Sequence, residues 1–310
     1  MNSEATVTIL NVGHGNATII RDGDNIVVVD TGGAHAGGRL LDYLREEGLF
    51  KIDALLLSHG DEDHIGSAPT LLLATDIVVR RVFVNTDSTK RTAAFRSLQL
   101  ALHTARREKH TETTVALTTA QSSNFAIPSL KLEILFPPPE YAISGPGGND
   151  IHDIGQSTNS MSSVIRVSID GGMRVLLSGD SDDSAMAFWK DENIDLSSEV
   201  VVFPHHGGRP GKSEPSTFAG SFASITKPSH VIFSIHFTKF DLPREDVVGA
   251  ICASAPHTQL ICTQLPARLE GQCNCHPWSL HSPTTGIINQ LHVQIRMTSG
   301  SVILIPTNYP

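Results

Sequence analysis

An α/β fold is the class this sequence predicts, and three observations predict it. Short apolar runs of strand length alternate with segments whose apolar residues recur at helical spacing. Several of the apolar runs stop abruptly at Gly, Asp or His, as buried strands do where they feed a loop. The chain has 310 residues of which 40% are hydrophobic, enough to bury a sizeable core as one large domain or a domain with an appendage.

Taken in order, residues 5 to 12 alternate as a strand, Gly13-His14-Gly15-Asn16 turns, and Ala17 to Arg21 and Ile26 to Val29 give two more strands around Asp22-Gly23-Asp24-Asn25. Leu40, Leu41 and Leu44 form the apolar face of a helix over Arg39 to Glu47. Ile52 to Ser58 is a strand, Ile65 to Ala74 a helix with Pro69 near its start, Ile77 to Val84 a strand, and Thr92 to Arg107 a helix with a basic end. Arg106, Arg107, Lys109 and His110 there are favourable charges at a helix C-terminus before they are a nucleic-acid contact. Val115 to Thr118 and Leu130 to Phe136 read as strands, and Pro137 to Ser157 as a long loop. Val164 to Ile169 and Met173 to Leu177 pair through Asp170-Gly171-Gly172. Asp182 and Asp183 open a helix ending near Trp189; Val200 to Phe203 and Val231 to Ile235 are strands, and a helix starts near Arg244. Leu260 to Thr263, Leu291 to Arg296 and Val302 to Ile305 complete the strands.

The chemistry concentrates where Leu55-Leu56-Leu57 ends in Ser58-His59-Gly60-Asp61-Glu62-Asp63-His64. Imidazole and carboxylate together suit zinc, manganese or iron. His59 and Asp61, two apart in an extended turn, point the same way, and Asp63 and His64 can reach a second ion beside the first. Without metal, so many ionisable groups beside a hydrophobic strand would suffer desolvation and mutual repulsion.

This stretch resembles the His-x-His-x-Asp-His hallmark of the metallo-β-lactamase superfamily, with Asp61 in place of the second histidine. The His-x-Asp-x-Asp-His form is similar to the ComEC-like branch, the hydrolase domains of competence channel proteins and their free-standing relatives. Leu10 to Asn16, Val29-Asp30-Thr31-Gly32, Leu176 to Asp180 and Phe203-Pro204-His205-His206-Gly207 follow in the family's order. The resemblance implies a four-layer αβ/βα sandwich with the site at one edge of its two sheets and a short C-terminal β extension. It divides the chain into a hydrolase domain over 1–256 and an extension over 257–310. It also implies that Asp30 orients the histidine-rich loop and that Asp180 bridges two divalent ions, zinc or manganese. One ion would take His59, Asp61, Asp180 and one of His205 or His206; the other Asp63, His64, Asp180 and either His236 or Asp241. Catalysis would fall to Asp63, Asp180, His205 and His206. Two departures stand out: Asn159 to Ser163 occupies the place of a metal-binding histidine, and Asp241 precedes Pro243 where relatives place the final histidine.

The implied activity is a phosphodiesterase or nuclease acting on DNA or RNA. Its rivals are an esterase for small-molecule or phosphocholine-type substrates and a catalytically weakened, partner-dependent binding or sensor subunit. A formal charge of −9 argues against a broad basic surface that coats nucleic acid, though bound ions would add local positive charge. No run of eighteen apolar residues indicates a membrane span, and the N-terminus lacks a signal-peptide pattern, so a cytoplasmic protein is expected. In the tail, Cys273-Asn274-Cys275-His276 with Cys262, His257 and His281 has the composition of a small structural zinc site, against reduced buried thiols.

Overall fold

Leu55, Leu56 and Leu57 are all fully buried, and the alternation of a strand explains how. Leu56 joins a core made with the opposite sheet, whereas Leu55 and Leu57 join a core made with helices. A strand apolar on both faces belongs inside a layered α/β structure. The computed structural model describes residues 4–266 except 126, 152 and 237–239, together with 281–282, 286–287 and 290–307.

One sheet has eight strands in the order Val302–Pro306, Leu291–Arg296, Thr6–Ile9, Thr18–Asp22, Asn25–Val29, Ala54–Leu57, Arg81–Val84 and Glu112–Thr114. The other has six, in the order Gln259–Cys262, His230–Phe233, Val200–Val202, Arg174–Leu177, Val164–Ser168 and Lys131–Phe136. Val7, Val29, Leu56 and Phe83 of the first sheet meet Ile134, Ile165, Val175 and Val202 of the second in one core. Outside the first sheet, Leu40 and Leu44 of helix Gly37–Glu46 and Leu98 of helix Ala93–Glu108 cover Val28, Leu55 and Val82. Outside the second, Trp189, Phe218, Phe222 and Val247 cover Leu176, Val201 and Val231. The result is the four-layer αβ/βα sandwich that the sequence implied.

The C-terminal strands are built into both sheets. Gln259–Cys262 pairs in parallel with His230–Phe233, and Leu291–Arg296 pairs antiparallel with Thr6–Ile9. Two helices are capped by side chains: Thr92 accepts from Phe95 N at 3.2 Å and Asp182 from Ser184 N at 2.9 Å. Lys109 donates to the carbonyls of Ala74 and Ile77, so part of that basic stretch serves the structure.

Three local expectations need correction. The stretch 137–157 contains a helix, Pro139–Ser144, because a proline at the first helical position loses no hydrogen bond. The strand expected at 115–118 lies earlier, over Glu112–Thr114, with Val115 exposed. The helix expected over 65–74 is two short ones, Glu62–Ile65 and Ala68–Leu73. Among the described residues no helix is long and apolar enough to cross a membrane.

Candidate metal centre

Parallel pairing aligns the carboxyl ends of several strands on one edge of the sandwich. Val29 is paired with Leu56 and Leu57 with Val84 in one sheet; Leu177 is paired with Val202 in the other. Each of these ends releases a polar segment: Asp30 after Val29, Ser58 to His64 after Leu57, Ser178 to Asp180 after Leu177, and His205-His206 after Val202. The crevice outside such ends is where α/β folds place ligands.

Asp180 stands at the middle of that edge, 3% exposed. Its Oδ2 lies 3.7 Å from His59 Nε2 and 3.4 Å from His205 Nδ1. Its Oδ1 lies 3.1 Å from His64 Nε2 and 3.6 Å from His206 Nε2. Asp61 Oδ2 joins the first group, 3.6 Å from His59 Nε2, and Asp63 Oδ2 joins the second, 3.2 Å from His206 Nε2. One carboxylate therefore separates two sets of donors.

The rings are held from behind. His64 Nδ1 donates to Asp30 Oδ2 at 2.7 Å, and His206 Nδ1 donates to the Ser234 carbonyl at 2.8 Å. Ser58 gives its hydroxyl proton to Asp30, so His59 Nδ1 donates to Ser58 Oγ at 3.0 Å. With Nδ1 so engaged, Nε2 of each ring faces Asp180 and would offer a metal its lone pair once free of a proton. Asp30 Oδ1 also takes Ser58 N at 2.7 Å, and Ser162 Oγ accepts from Asp180 N at 2.8 Å.

Nε2 of His59, His64 and His206 and Oδ1 of Asp180 are buried without a hydrogen-bond partner. Native interiors seldom leave so many polar atoms unsatisfied at one point, and divalent cations would satisfy all four. Charge agrees with this. Burial opposes ionisation of Asp180, yet His64 and His206 hold it well below the usual carboxylate range. Burial likewise opposes a charge on His64, and Asp180, Asp30 and Asp63 override it and raise its pKa well above the ordinary value. In the metal-free chain, protons on imidazole supply the positive charge that this cluster of acids demands. The backbone is shaped for the site as well: His205 and His206 both have positive φ, at 50° and 56°, costing about 1–2 kcal/mol each. Strain of that kind persists where surrounding structure fixes it at functional sites.

A family model described as the metallo-beta-lactamase superfamily matches residues 10–182, more than half of the chain. The chain belongs to the metallo-β-lactamase superfamily. A 73-residue stretch is 41% identical to Recombination protein 2 of Haemophilus influenzae, covering 22% of this chain and 9% of that protein. Among solved structures, the metallo-β-lactamase fold protein YhfI of Bacillus subtilis is 14% identical, with a TM-score of 0.50, over 84% of this chain and 96% of its own. Igni18, a metallo hydrolase of Ignicoccus hospitalis, is 17% identical with a TM-score of 0.46, over 82% and 94%. The likeness to YhfI concerns the fold alone.

As a hydrolase of this superfamily, the protein carries His/Asp clusters able to hold divalent metal. His59, Asp61, Asp63, His64, Asp180, His205 and His206 all meet at one edge. The adjacent pair 205 and 206 divides between the two oxygens of Asp180, because left-handed backbone at both residues splays the rings. Two compact donor groups form, His59-His64-Asp180 and His14-Asp63-His206, with Asp61 beside His59 and His205 beside Asp180; His236 and Asp241 are in neither group. The His236 ring lies beside Gly13, and Asp241 is exposed.

His14 is the residue whose role sequence reasoning left open. Its Nε2 is 3.4 Å from Asp63 Oδ2 and its ring is 4.5 Å from that of His206, with burial pushing its pKa down to about 3. Gly15 makes this approach possible, since its φ is 122° and a Cβ there would lie 2.1 Å from the Asp63 carbonyl oxygen. The supporting hydroxyls of Ser58 and Ser162 were also missed, although Ser58 directly precedes the histidine it orients. Of the tail's Cys/His group, Cys273, Cys275, His276 and the side chain of His281 lie outside the described residues; Cys262 is buried and His257 exposed.

Proposed function

We propose that the protein is a phosphodiesterase that cleaves DNA or RNA with two divalent ions, zinc or manganese. The observation that carries this reading is Asp180, whose two oxygens face two separate donor sets. His59, Asp61 and Asp180 Oδ2 would hold one ion; Asp63, His64, His206 and Asp180 Oδ1 would hold the other. Divalent ions held there would supply a hydroxide near neutral pH and neutralise the oxygens of a phosphodiester. Carboxylates at Asp61, Asp63 and Asp180 make the site hard and anionic, which favours manganese while leaving zinc competent. His205, with its side chain 32% exposed and Nδ1 3.2 Å from Asn159 Nδ2, stands at the mouth to give a proton to the leaving oxygen.

A second reading, an esterase for a small phosphoester with a cationic group, draws on a cavity of about 610 Å³ behind Ser157 and Ser160. Glu140, Asp150, Asp183 and Asp191 line it with Tyr141 and Phe188, surroundings that suit an organic cation and repel a polyanion. The test is hydrolysis of bis(p-nitrophenyl) phosphate, labelled single- and double-stranded DNA, and p-nitrophenyl phosphocholine by metal-stripped protein reloaded with manganese or zinc. Metal-dependent DNA cleavage supports the nuclease; turnover of the phosphocholine ester alone supports the second reading. No hydrolysis by loaded protein overturns both.

A further inference from the structure

Lys90 lies on the loop between strand Arg81–Val84 and helix Ala93–Glu108, 29 residues from Asp61 in the chain, and its Nζ donates to Asp61 Oδ1. The other oxygen of that carboxylate, Oδ2, faces His59 Nε2. Asp61 thus divides its charge between a lysine ammonium on one side and the first metal position on the other. Among the described residues, Asp63 and Asp180 pair with histidines. The fixed cation stands on one side of the centre.

The contact is built in. Asp87, 6% exposed, accepts from Thr89 N at 2.9 Å and Lys90 N at 3.1 Å through Oδ1, and its Oδ2 takes the Thr158 hydroxyl at 2.6 Å. The loop carrying Lys90 is thereby tied to the segment whose next residue, Asn159, touches His205. Gly60, between His59 and Asp61, leaves space for the lysine stem: a Cβ there would meet Lys90 Cγ at 3.4 Å and the Phe95 ring at 3.3 Å.

We infer that Lys90 makes the two metal positions unequal. Its ammonium draws on the charge of Asp61 and repels a divalent cation at His59, Asp61 and Asp180 Oδ2, so that position fills last and most weakly. At low free metal the centre holds one ion beside Asp63, His64 and His206, with Lys90 as the neighbouring positive charge. The inference rests on the two-ion reading above.

Calorimetric titration of metal-stripped protein with manganese, with bound ions counted by mass spectrometry, tests it. Wild type is expected to take up two ions in two separable steps. Lys90→Gln should tighten the weaker step by about tenfold or more and leave the tighter step within about threefold. Lys90→Arg, which keeps the charge, should hold the wild-type separation. Lys90→Met supplies a second neutral side chain, and melting of each metal-free variant checks its fold. A weaker step that is unchanged or weakened in both neutral variants overturns the inference. So does a wild type that binds two ions equally, which leaves the two-ion reading intact. Fewer than two ions in wild type removes that reading and the inference with it.

Discussion

The two halves of the centre use the same chemical groups but are held by different parts of the chain. Around Asp180 Oδ1, the side chains of His64 and His206 are 0% and 2% exposed, and each ring is fixed from behind by Asp30 or the Ser234 carbonyl. Around Asp180 Oδ2, Asp61 and His205 have side chains 29% and 32% exposed and lean on the loop residues Lys90 and Asn159. Buried donors locked in geometry favour tight, preorganised binding, and exposed donors on loops leave room for a substrate to displace a ligand. Each half also holds a donor of the other kind, His59 at 1% exposed beside Oδ2 and Asp63 at 23% beside Oδ1. On the two-ion reading proposed above, the half around Oδ1 would retain metal and the half around Oδ2 would exchange substrate and product.

The comparison breaks hardest at the residue both halves share. Asp180→Ala should lower metal-dependent hydrolysis by at least about 10³-fold, since it removes the bridge and a donor from each position. Asp63→Ala should abolish the tighter metal step, whereas Asp61→Ala should affect the weaker step alone; calorimetric titration of both variants reads this. A smaller effect is expected one step behind the donors. Asp30→Asn should cost about 10–100-fold in metal affinity, because it loosens His64 without removing it.

Stability against pH sharpens the same contrast in metal-free protein. His64 has its pKa raised above the ordinary 6.5 by Asp180, Asp30 and Asp63 against the effect of burial. The stability it contributes is therefore complete below the unfolded value and lost as pH rises through the folded one. Asp180 is depressed below 3.8, so its contribution is present above that value and lost as pH falls. The melting temperature of metal-free protein should fall as pH rises above the ordinary histidine value of 6.5, and bound metal, which replaces the imidazole protons, should flatten that slope. Parallel melting curves with and without metal would contradict this. The smallest effect is expected at His14: His14→Gln should change the tighter metal step by no more than about tenfold, because Asp63, His64, His206 and Asp180 remain to hold the ion.

Much of this centre was legible in the sequence because it is local. Apolar runs ending at Leu57, Leu177 and Val202 predicted strand ends, and the residues just beyond them are the donors. Asp30 was legible for the same reason. What sequence could not divide was the pair 205 and 206, because the choice rests on left-handed backbone that adjacent histidines do not announce. Lys90 carries no motif, and its approach to Asp61, 29 residues away in the chain, rests on a turn fixed by Asp87. Asp241 was drawn in by its place just before Pro243 and His236 by its place a few residues earlier; beside the expected Asp63 and His64, the side chain that faces Asp180 Oδ1 is His206. The stretch 137–157 misled because its prolines and glycines read as breakers, while Pro138 and Pro139 start a helix.

The bridging role of Asp180 has a direct spectroscopic test in the electron paramagnetic resonance of protein loaded with two equivalents of manganese. Two ions joined by one carboxylate should give an exchange-coupled spectrum, and Asp180→Ala should show isolated ions in its place. Isolated ions alone in the wild type at full loading would contradict a shared centre.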